Sequence, residues 1–118
     1  MEREINLSRD FSRFPVGRYK KDGPDSGERF RDEFLLPAVK QAIAANGRVK
    51  VVLDGVVGLP SSFLEESFGG LVRALKEFSV QRLLQVITIY SADEKFDRFI
   101  ILIENYMKEA VSHREKAA

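Results

Sequence analysis

The alternation of apolar and polar positions predicts strands separated by helices. The run at residues 49–53 is rich in β-branched side chains and lies between Gly47 and the Asp54-Gly55 pair, which predicts a buried strand. Residues 4–8 alternate polar and apolar, and residues 86–90 are β-branched and aromatic, so each predicts another strand. Apolar side chains fall on both faces of the 49–53 strand. We therefore expect neighbouring strands on both sides of it and cover over both faces.

Three longer segments repeat their apolar residues at helical spacing. The first follows Ser26, a residue type that caps helix starts, and ends at Asn46-Gly47. Pro37 interrupts it and predicts a kink near residues 33–36. The apolar stripe of this helix is Phe30, Phe34, Leu35, Ala38, Val39, Ala42 and Ile43.

The second predicted helix follows Pro60. Ser62 and Glu65 have the spacing of a capping box, which predicts the start of this helix. The pair Gly69-Gly70 lies inside it and costs about 1 kcal/mol per glycine relative to alanine. Such a pair indicates close approach of another backbone or a partner, or tight packing on the sheet within the chain.

The third predicted helix begins at a second capping box, residues 91–94, and its apolar stripe extends to Ala110. The tail at residues 112–118 is expected to fray. Residues 17–20 are a further short strand candidate. The alternation of strands and helices predicts an α/β fold: one domain spanning residues 1–118, with a mixed sheet of about four strands and three main helices.

Composition excludes several classes of function. The chain has 118 residues, 44% of them hydrophobic, and a net charge of +1, which provides no general field for nucleic acid or an anionic membrane. It contains no cysteine and a single histidine, His113, so thiolate metal sites are excluded and an imidazole zinc site is not expected. We expect no cofactor. The charged start and the absence of a long apolar run favour a cytoplasmic protein.

Ser61 and Ser62 are the first candidates for chemistry, because they lie where a strand leads into a helix N-terminus. That position suits anion recognition or phosphorylation. Capping alone accounts for Ser62, whereas Ser61 has no such local role and is the better candidate. A phosphate on Ser61 would add a charge of about −1.5 to −2. Glu65 and Glu66 would oppose it, which predicts a switch away from one partner.

The second helix start offers another candidate anion site. Ser26, Gly27 and Arg29 together provide backbone N–H groups and a guanidinium. Because helix starts gather at one end of such folds, we expect Ser26 and Ser61 to form one shared site. Arg29 and Glu66 should then be at least partly at the surface.

Asp54 follows the central strand, at the end where α/β proteins bind ligands. With Glu65 or Glu66 it provides oxygens for Mg²⁺ or an acid–base pair, although Asp54-Gly55 is also ordinary turn chemistry. No nucleophile–base pair is visible in the sequence. We therefore expect a non-enzymatic protein.

Several blocks of the sequence carry a family resemblance. They are Gly17-Arg18-Tyr19, Gly23-Pro24, residues 26–31, Leu53-Asp54-Gly55 and residues 62–71. Together they resemble a STAS-like bacterial family of unknown function. More distantly, the strand, serine pair and helix are similar to the STAS domains of anti-sigma factor antagonists. The resemblance implies a STAS-like fold.

In those antagonists, a kinase that is also the anti-sigma factor phosphorylates the first serine of the motif. By position, Ser61 corresponds to that serine and Ser62 to the next, while Pro60 replaces an aspartate and Phe63 a glycine. The resemblance implies a bacterial regulatory module with a protein partner, such as a histidine-kinase-type ATPase. The alternative is a small-ligand or nucleotide-binding domain that uses its helix N-termini. The oligomeric state stays open.

Overall fold

The computed structural model describes residues 2–117, with side chains as far as Arg114. Its sheet has three parallel strands in the order β1-β2-β3. They are β1 (Glu2–Asn6), β2 (Arg48–Val52) and β3 (Ile87–Tyr90). Val51 of β2 lies between Ile5 and Ile89, so the predicted central strand is flanked on both sides. The sheet is wholly parallel within the described residues, and the prediction of a mixed, four-stranded sheet is wrong.

Within residues 2–117, four helices accompany the sheet, one more than the three main helices predicted. Helix α1 (residues 27–44) joins the segments Gly27–Phe30, Arg31–Leu35 and Leu36–Ala44, and helix α2 (residues 61–74) joins Ser61–Leu64, Glu65–Gly69 and Gly70–Ala74. Helix α3 is Val80–Val86 and helix α4 is Asp97–Ala117. Single helical turns occur at Leu7–Phe11, Lys20–Asp22 and Glu94–Phe96. The short strand that the sequence predicts for residues 17–20 does not form: residues 17–19 are irregular, and the turn begins at Lys20.

Helix α1 widens at the place where the sequence predicts a kink. The segment Arg31–Leu35 has π-helical geometry, and the N–H of Leu36 donates to the carbonyl of Arg31, five residues back. Pro37 follows directly and has no N–H to donate, so the regular i to i−4 ladder is interrupted here. The wide turn absorbs that interruption while the helix continues.

The core lies on one face of the sheet. Val49, Val51 and Leu53 are fully inaccessible on that face, beneath the helices. On the other face Tyr90 is 42% exposed, and the Lys50 Nζ lies 4.2 Å from its ring centroid. Val52 on that face is only 8% exposed, whereas Arg48, Thr88 and Tyr90 are exposed, so the predicted cover over both faces is wrong for most of the second face. Right-handed crossovers between successive parallel strands bring all the connecting helices to the same side.

Helix α4 closes the molecule by packing across α2. Ile103, Met107 and Ala110 are its buried residues in that contact. Near its end, the Arg114 guanidinium donates to the carbonyls of Val72 and Leu75, both at 2.6 Å. The helix thus continues through the segment predicted to fray, to Ala117; Ala118 lies outside the described residues.

Among residues 2–117, no helix is both long and apolar enough to cross a membrane.

Candidate functional site

The serine pair lies at the start of α2, but its geometry differs from the predicted capping box. The helix begins at Ser61, with Pro60 in the N-cap position and no side-chain cap. Because the N-cap lies two residues before the predicted one, Ser62 sits inside the first turn, and the capping box assigned to Ser62 and Glu65 is wrong. Ser61 is exposed and Ser62 is half-buried. Ser61 is therefore the accessible hydroxyl of the pair.

An apolar groove borders this helix start. Phe14, Val16 and Val57 are 60%, 56% and 66% exposed, which is unusual for large apolar side chains. They line a groove of about 500 Å³ together with Pro15, Gly58, Leu59, Pro60, Arg98 and Phe99. Ser61 follows directly on one lining residue. The sequence contained a signal for this groove, since the exposed residues Phe14, Val16 and Val57 are apolar but lie outside every predicted helix and strand.

The loops that form the groove are tied together. The N–H of Val57 donates to the carbonyl of Arg13 at 2.8 Å, joining the segment after β1 to the segment after β2. Both segments leave the carboxyl ends of parallel strands, and such ends meet at one edge of the sheet. The groove therefore lies at that edge of the sheet.

The start of α1 is occupied by contacts within the chain. The Ser26 hydroxyl is fully buried and accepts from the N–H of Arg29 at 3.2 Å, which confirms Ser26 as the N-cap. The N–H of Gly27 donates to the carbonyl of Gly17 at 3.0 Å, and that of Glu28 to Arg18 at 2.9 Å. These amides are therefore already used.

Arg29 is likewise engaged within the chain. Its guanidinium donates to the carbonyl of Pro24 at 2.7 Å and to Glu33 at 3.2 Å. It also lies over the rings of Phe11 and Phe34, at 5.1 and 5.9 Å from their centroids. Arg29 is partly exposed, as expected, but its donors hold the loop before α1.

The two helix starts lie side by side. The Ser67 hydroxyl donates to the carbonyl of Phe63 at 2.8 Å and to that of Gly27 at 3.3 Å. A Cβ on Gly27 would lie only 2.6 Å from the Phe63 carbonyl oxygen. Ser26 and Ser61 are therefore at the same end of the molecule, as expected, although Ser26 is buried and Ser61 is exposed.

Five ionic side chains connect α2 to α1 and to the loop before it; we refer to them as the ionic network. Arg18 donates to Glu65 at 2.6 Å and to Glu66 at 3.2 Å, Arg31 donates to Glu66, and Arg73 donates to Glu65 at 2.6 Å. Burial raises the pKa of Glu65, but hydrogen bonds from Arg73 and Arg18 outweigh it and hold the pKa below its ordinary value. Glu66 is buried, contrary to the expectation that it reaches the surface.

The glycine pair makes room for this network. A Cβ on Gly70 would lie 2.6 Å from Nη1 of Arg31, and one on Gly69 would lie 2.5 Å from Oε2 of Glu65. The close approach is therefore within the chain and by ionic side chains, and neither a second backbone nor the sheet accounts for it. A cleft of about 500 Å³ lies beside the network, with Tyr106 and His113 of α4 among its lining residues.

The charges of the network are balanced once Asp32 is counted with it, because three guanidiniums then face three carboxylates. Each of its three arginines has a carboxylate partner within the network, and Arg31 also donates to Asp32 at 2.9 Å. Paired guanidiniums attract an added anion weakly, since their charge is already compensated. The arrangement therefore stabilises the packing of α1 and its preceding loop on α2.

Asp54 has a structural role. Its carboxylate accepts from the N–H groups of Ala92 and Asp93, at 2.9 and 3.0 Å, and from the Ser91 hydroxyl at 3.0 Å. Backbone hydrogen bonding, first from Ala92, lowers the pKa of Asp54. The second predicted capping box is also wrong, because Asp93 caps a short turn by accepting from the N–H of Lys95.

The predicted carboxylate cluster is not assembled. Asp54 binds the loop after β3, whereas Glu65 and Glu66 bind arginines. Across the described part of the chain, no group of three or more His, Cys, Asp or Glu residues is placed to hold a metal ion.

Comparison with known families identifies the chain. The model of the STAS-like domain of unknown function (DUF4325) matches residues 26–95, more than half of the chain. The chain therefore belongs to this family, and the resemblance seen in the sequence is confirmed. Comparisons with curated proteins and with solved structures give no match.

Proposed function

We propose that this STAS-like domain is a non-enzymatic regulatory module that binds a protein partner, with Ser61 as its switch. The observation that carries the proposal is the position of Ser61. It is an exposed hydroxyl on a helix start beside a groove lined by exposed apolar side chains. Exposed apolar patches of this kind are typical of protein interaction surfaces.

The proposed switch is phosphorylation. The Ser61 oxygen attacks the γ-phosphorus of ATP, ADP leaves, and the hydroxyl proton passes to a base of the kinase. The product carries a charge of about −1.5 to −2 at the border of the groove. A histidine-kinase-type ATPase in a bacterial cytoplasm is the partner that we propose for this reaction, from the resemblance to anti-sigma factor antagonists.

The alternative of a nucleotide or small-ligand domain that uses its helix N-termini has less support. The N-terminal amides of α1 donate to the carbonyls of Gly17 and Arg18, which leaves them unavailable to an anion. Denaturing the purified protein and analysing the released small molecules by mass spectrometry tests this alternative. Stoichiometric nucleotide in that fraction would favour it.

The proposed switch is tested by incubating the protein with ATP and an extract of its native cell, then locating phosphate by mass spectrometry. We expect modification that Ser61→Ala abolishes and that Ser62→Ala retains. Partner capture from the same extract should weaken for Ser61→Asp and persist for Ser61→Ala. Ser112→Asp is the matched control, because it adds the same charge at an exposed position on α4. Equal capture by Ser61→Asp and wild type would remove Ser61 from the mechanism.

A further inference from the structure

The concave surface beside Ser61 extends beyond the groove. A second hollow of about 200 Å³ adjoins it and shares Val57, Gly58, Arg98 and Phe99 with it. Together they form a continuous concave strip across the loops at the carboxyl edge of the sheet. A concave apolar strip receives the side chains of a peptide segment, as in helix-in-groove recognition. A lipid surface would instead favour apolar residues on a protruding tip.

The charges along this strip have one sign. Arg98 lines both hollows and Lys95 lines the second, whereas no carboxylate lines either one. Arg13 lies beside the strip, with its guanidinium 5.9 Å from the ring centroid of Phe14. Lys95 is paired with Asp93 at 3.6 Å, while Arg13 and Arg98 take part in no ion pair among residues 2–114.

The unpaired cations of the strip, Arg98 and Arg13, differ from the arginines of the ionic network. The arginines of the network have carboxylate partners in the same chain, so their role is fulfilled internally. Arg98 instead lies over an aromatic ring, 4.8 Å from the centroid of Phe99. Its guanidinium can still donate charge-assisted hydrogen bonds to a carboxylate of another molecule.

We propose that the strip binds an acidic, apolar segment of the protein partner. Apolar side chains of the segment fill the groove against Phe14 and Val57, and its carboxylates pair with Arg98 and Arg13. The proposal rests on the proposed function, since it names the chemistry of the partner that the module binds.

The same chemistry gives the switch its direction. Ser61 directly follows Pro60, which lines the groove. A phosphate on Ser61 places negative charge at the border of a strip that receives carboxylates, and like charges brought together at an interface disfavour binding. Phosphorylation therefore releases an acidic segment, whereas it would strengthen the binding of a basic one.

The proposal is tested by selecting from a phage-displayed library of random 12-residue peptides on the immobilised protein. We expect enriched peptides in which apolar residues are flanked by aspartate or glutamate. Arg98→Glu and Val57→Asp should each weaken a selected peptide by about tenfold or more, the scale expected for a central interface residue. Lys40→Glu, at an exposed position of α1, is the matched charge-reversal control and should bind as wild type does. Circular dichroism verifies that each variant is folded.

Three results would overturn the proposal: enrichment of basic peptides, no enrichment, or binding that is insensitive to Val57→Asp. Vesicles of phosphatidylcholine with phosphatidylglycerol are the parallel probe. Binding to them that depends on Val57, without peptide binding, would identify a lipid surface as the occupant. Selection of basic peptides alongside partner capture that still responds to Ser61→Asp would refute the partner's chemistry while leaving the proposed function intact.

Discussion

Replacing Gly27 with alanine tests the closest contact between α1 and α2. An added Cβ would lie 2.6 Å from the Phe63 carbonyl oxygen, 3.0 Å from the Glu66 Cβ and 3.1 Å from the Ser67 Oγ. Ordinary contacts begin at 3.4 Å, and a backbone carbonyl inside a helix cannot rotate away. The two helices must therefore separate by several tenths of an ångström.

Two opposing effects determine how Gly27→Ala changes the free energy of unfolding. Overpacking a close contact costs about 1–3 kcal/mol, while alanine regains up to about 1 kcal/mol over glycine in a helix. We expect a net loss of about 1–2 kcal/mol in the free energy of unfolding. For a chain of this length that lowers the Tm by about 4–8 °C.

Urea unfolding followed by circular dichroism at 222 nm measures the effect. Gly58→Ala is the matched control, because a Cβ at Gly58 meets nothing within 4 Å and the backbone there is not left-handed. We expect the control to remain within about 0.5 kcal/mol of wild type. A Gly27→Ala variant as stable as the Gly58→Ala control would refute the close packing of the two helix starts.

Three further predictions concern stability. Glu66→Ala leaves the largely buried guanidinium of Arg31 with Asp32 as its remaining carboxylate partner. We expect a loss of about 2–3 kcal/mol in the free energy of unfolding measured in urea, and a loss below 1 kcal/mol would contradict the role of the network. The pKa of Asp54 is lower in the folded than in the unfolded state, so its contribution to stability is present above the unfolded pKa and is lost as the pH falls through the folded pKa. Asp54→Asn should therefore flatten the decline of Tm between about pH 5 and pH 2. An unchanged slope would contradict a stabilising role for the Asp54 carboxylate. The Ser79 hydroxyl caps α3 by accepting from the N–H of Arg82 at 3.1 Å, so Ser79→Ala should lower the free energy of unfolding by about 1 kcal/mol. Ser62→Ala should lower it little, because Ser62 is not an N-cap. A larger loss for Ser62→Ala than for Ser79→Ala would support the predicted capping box at Ser62.

Local patterns in the sequence predicted the elements that depend on local chemistry. The β-branched run at residues 49–53 gave β2, the serine at position 26 gave the N-cap of α1, and Pro37 marked the wide turn in that helix. The solvated face of the sheet, which carries Lys50 and Thr88, could also have been predicted. Arg48 and Lys50 alternate with valines along β2, which is the pattern of a strand with one solvated face.

The ionic network could not be predicted, because its partners are far apart in sequence. Arg18 and Glu65 are separated by 47 residues, and only the packing of α1 on α2 brings them together. The role of Asp54 likewise depends on Ala92 and Asp93, 38 and 39 residues further along. Glu65 had the correct spacing for a capping box, but two arginines compete for its carboxylate and hold it in the network.

The most direct test of the interaction surface maps the partner on the protein in solution. The captured partner is added unlabelled to ¹⁵N-labelled protein, and backbone amide shifts are recorded by NMR. We predict that the perturbed amides cluster at Phe14, Val16, residues 57–59, Ser61 and residues 98–99, and that adding the partner to Val57→Asp leaves these amides unshifted; Pro15 and Pro60 have no amide proton. Shifts concentrated on the solvated face of the sheet, at Lys50 and Thr88, with the groove unperturbed, would contradict the assignment of this surface.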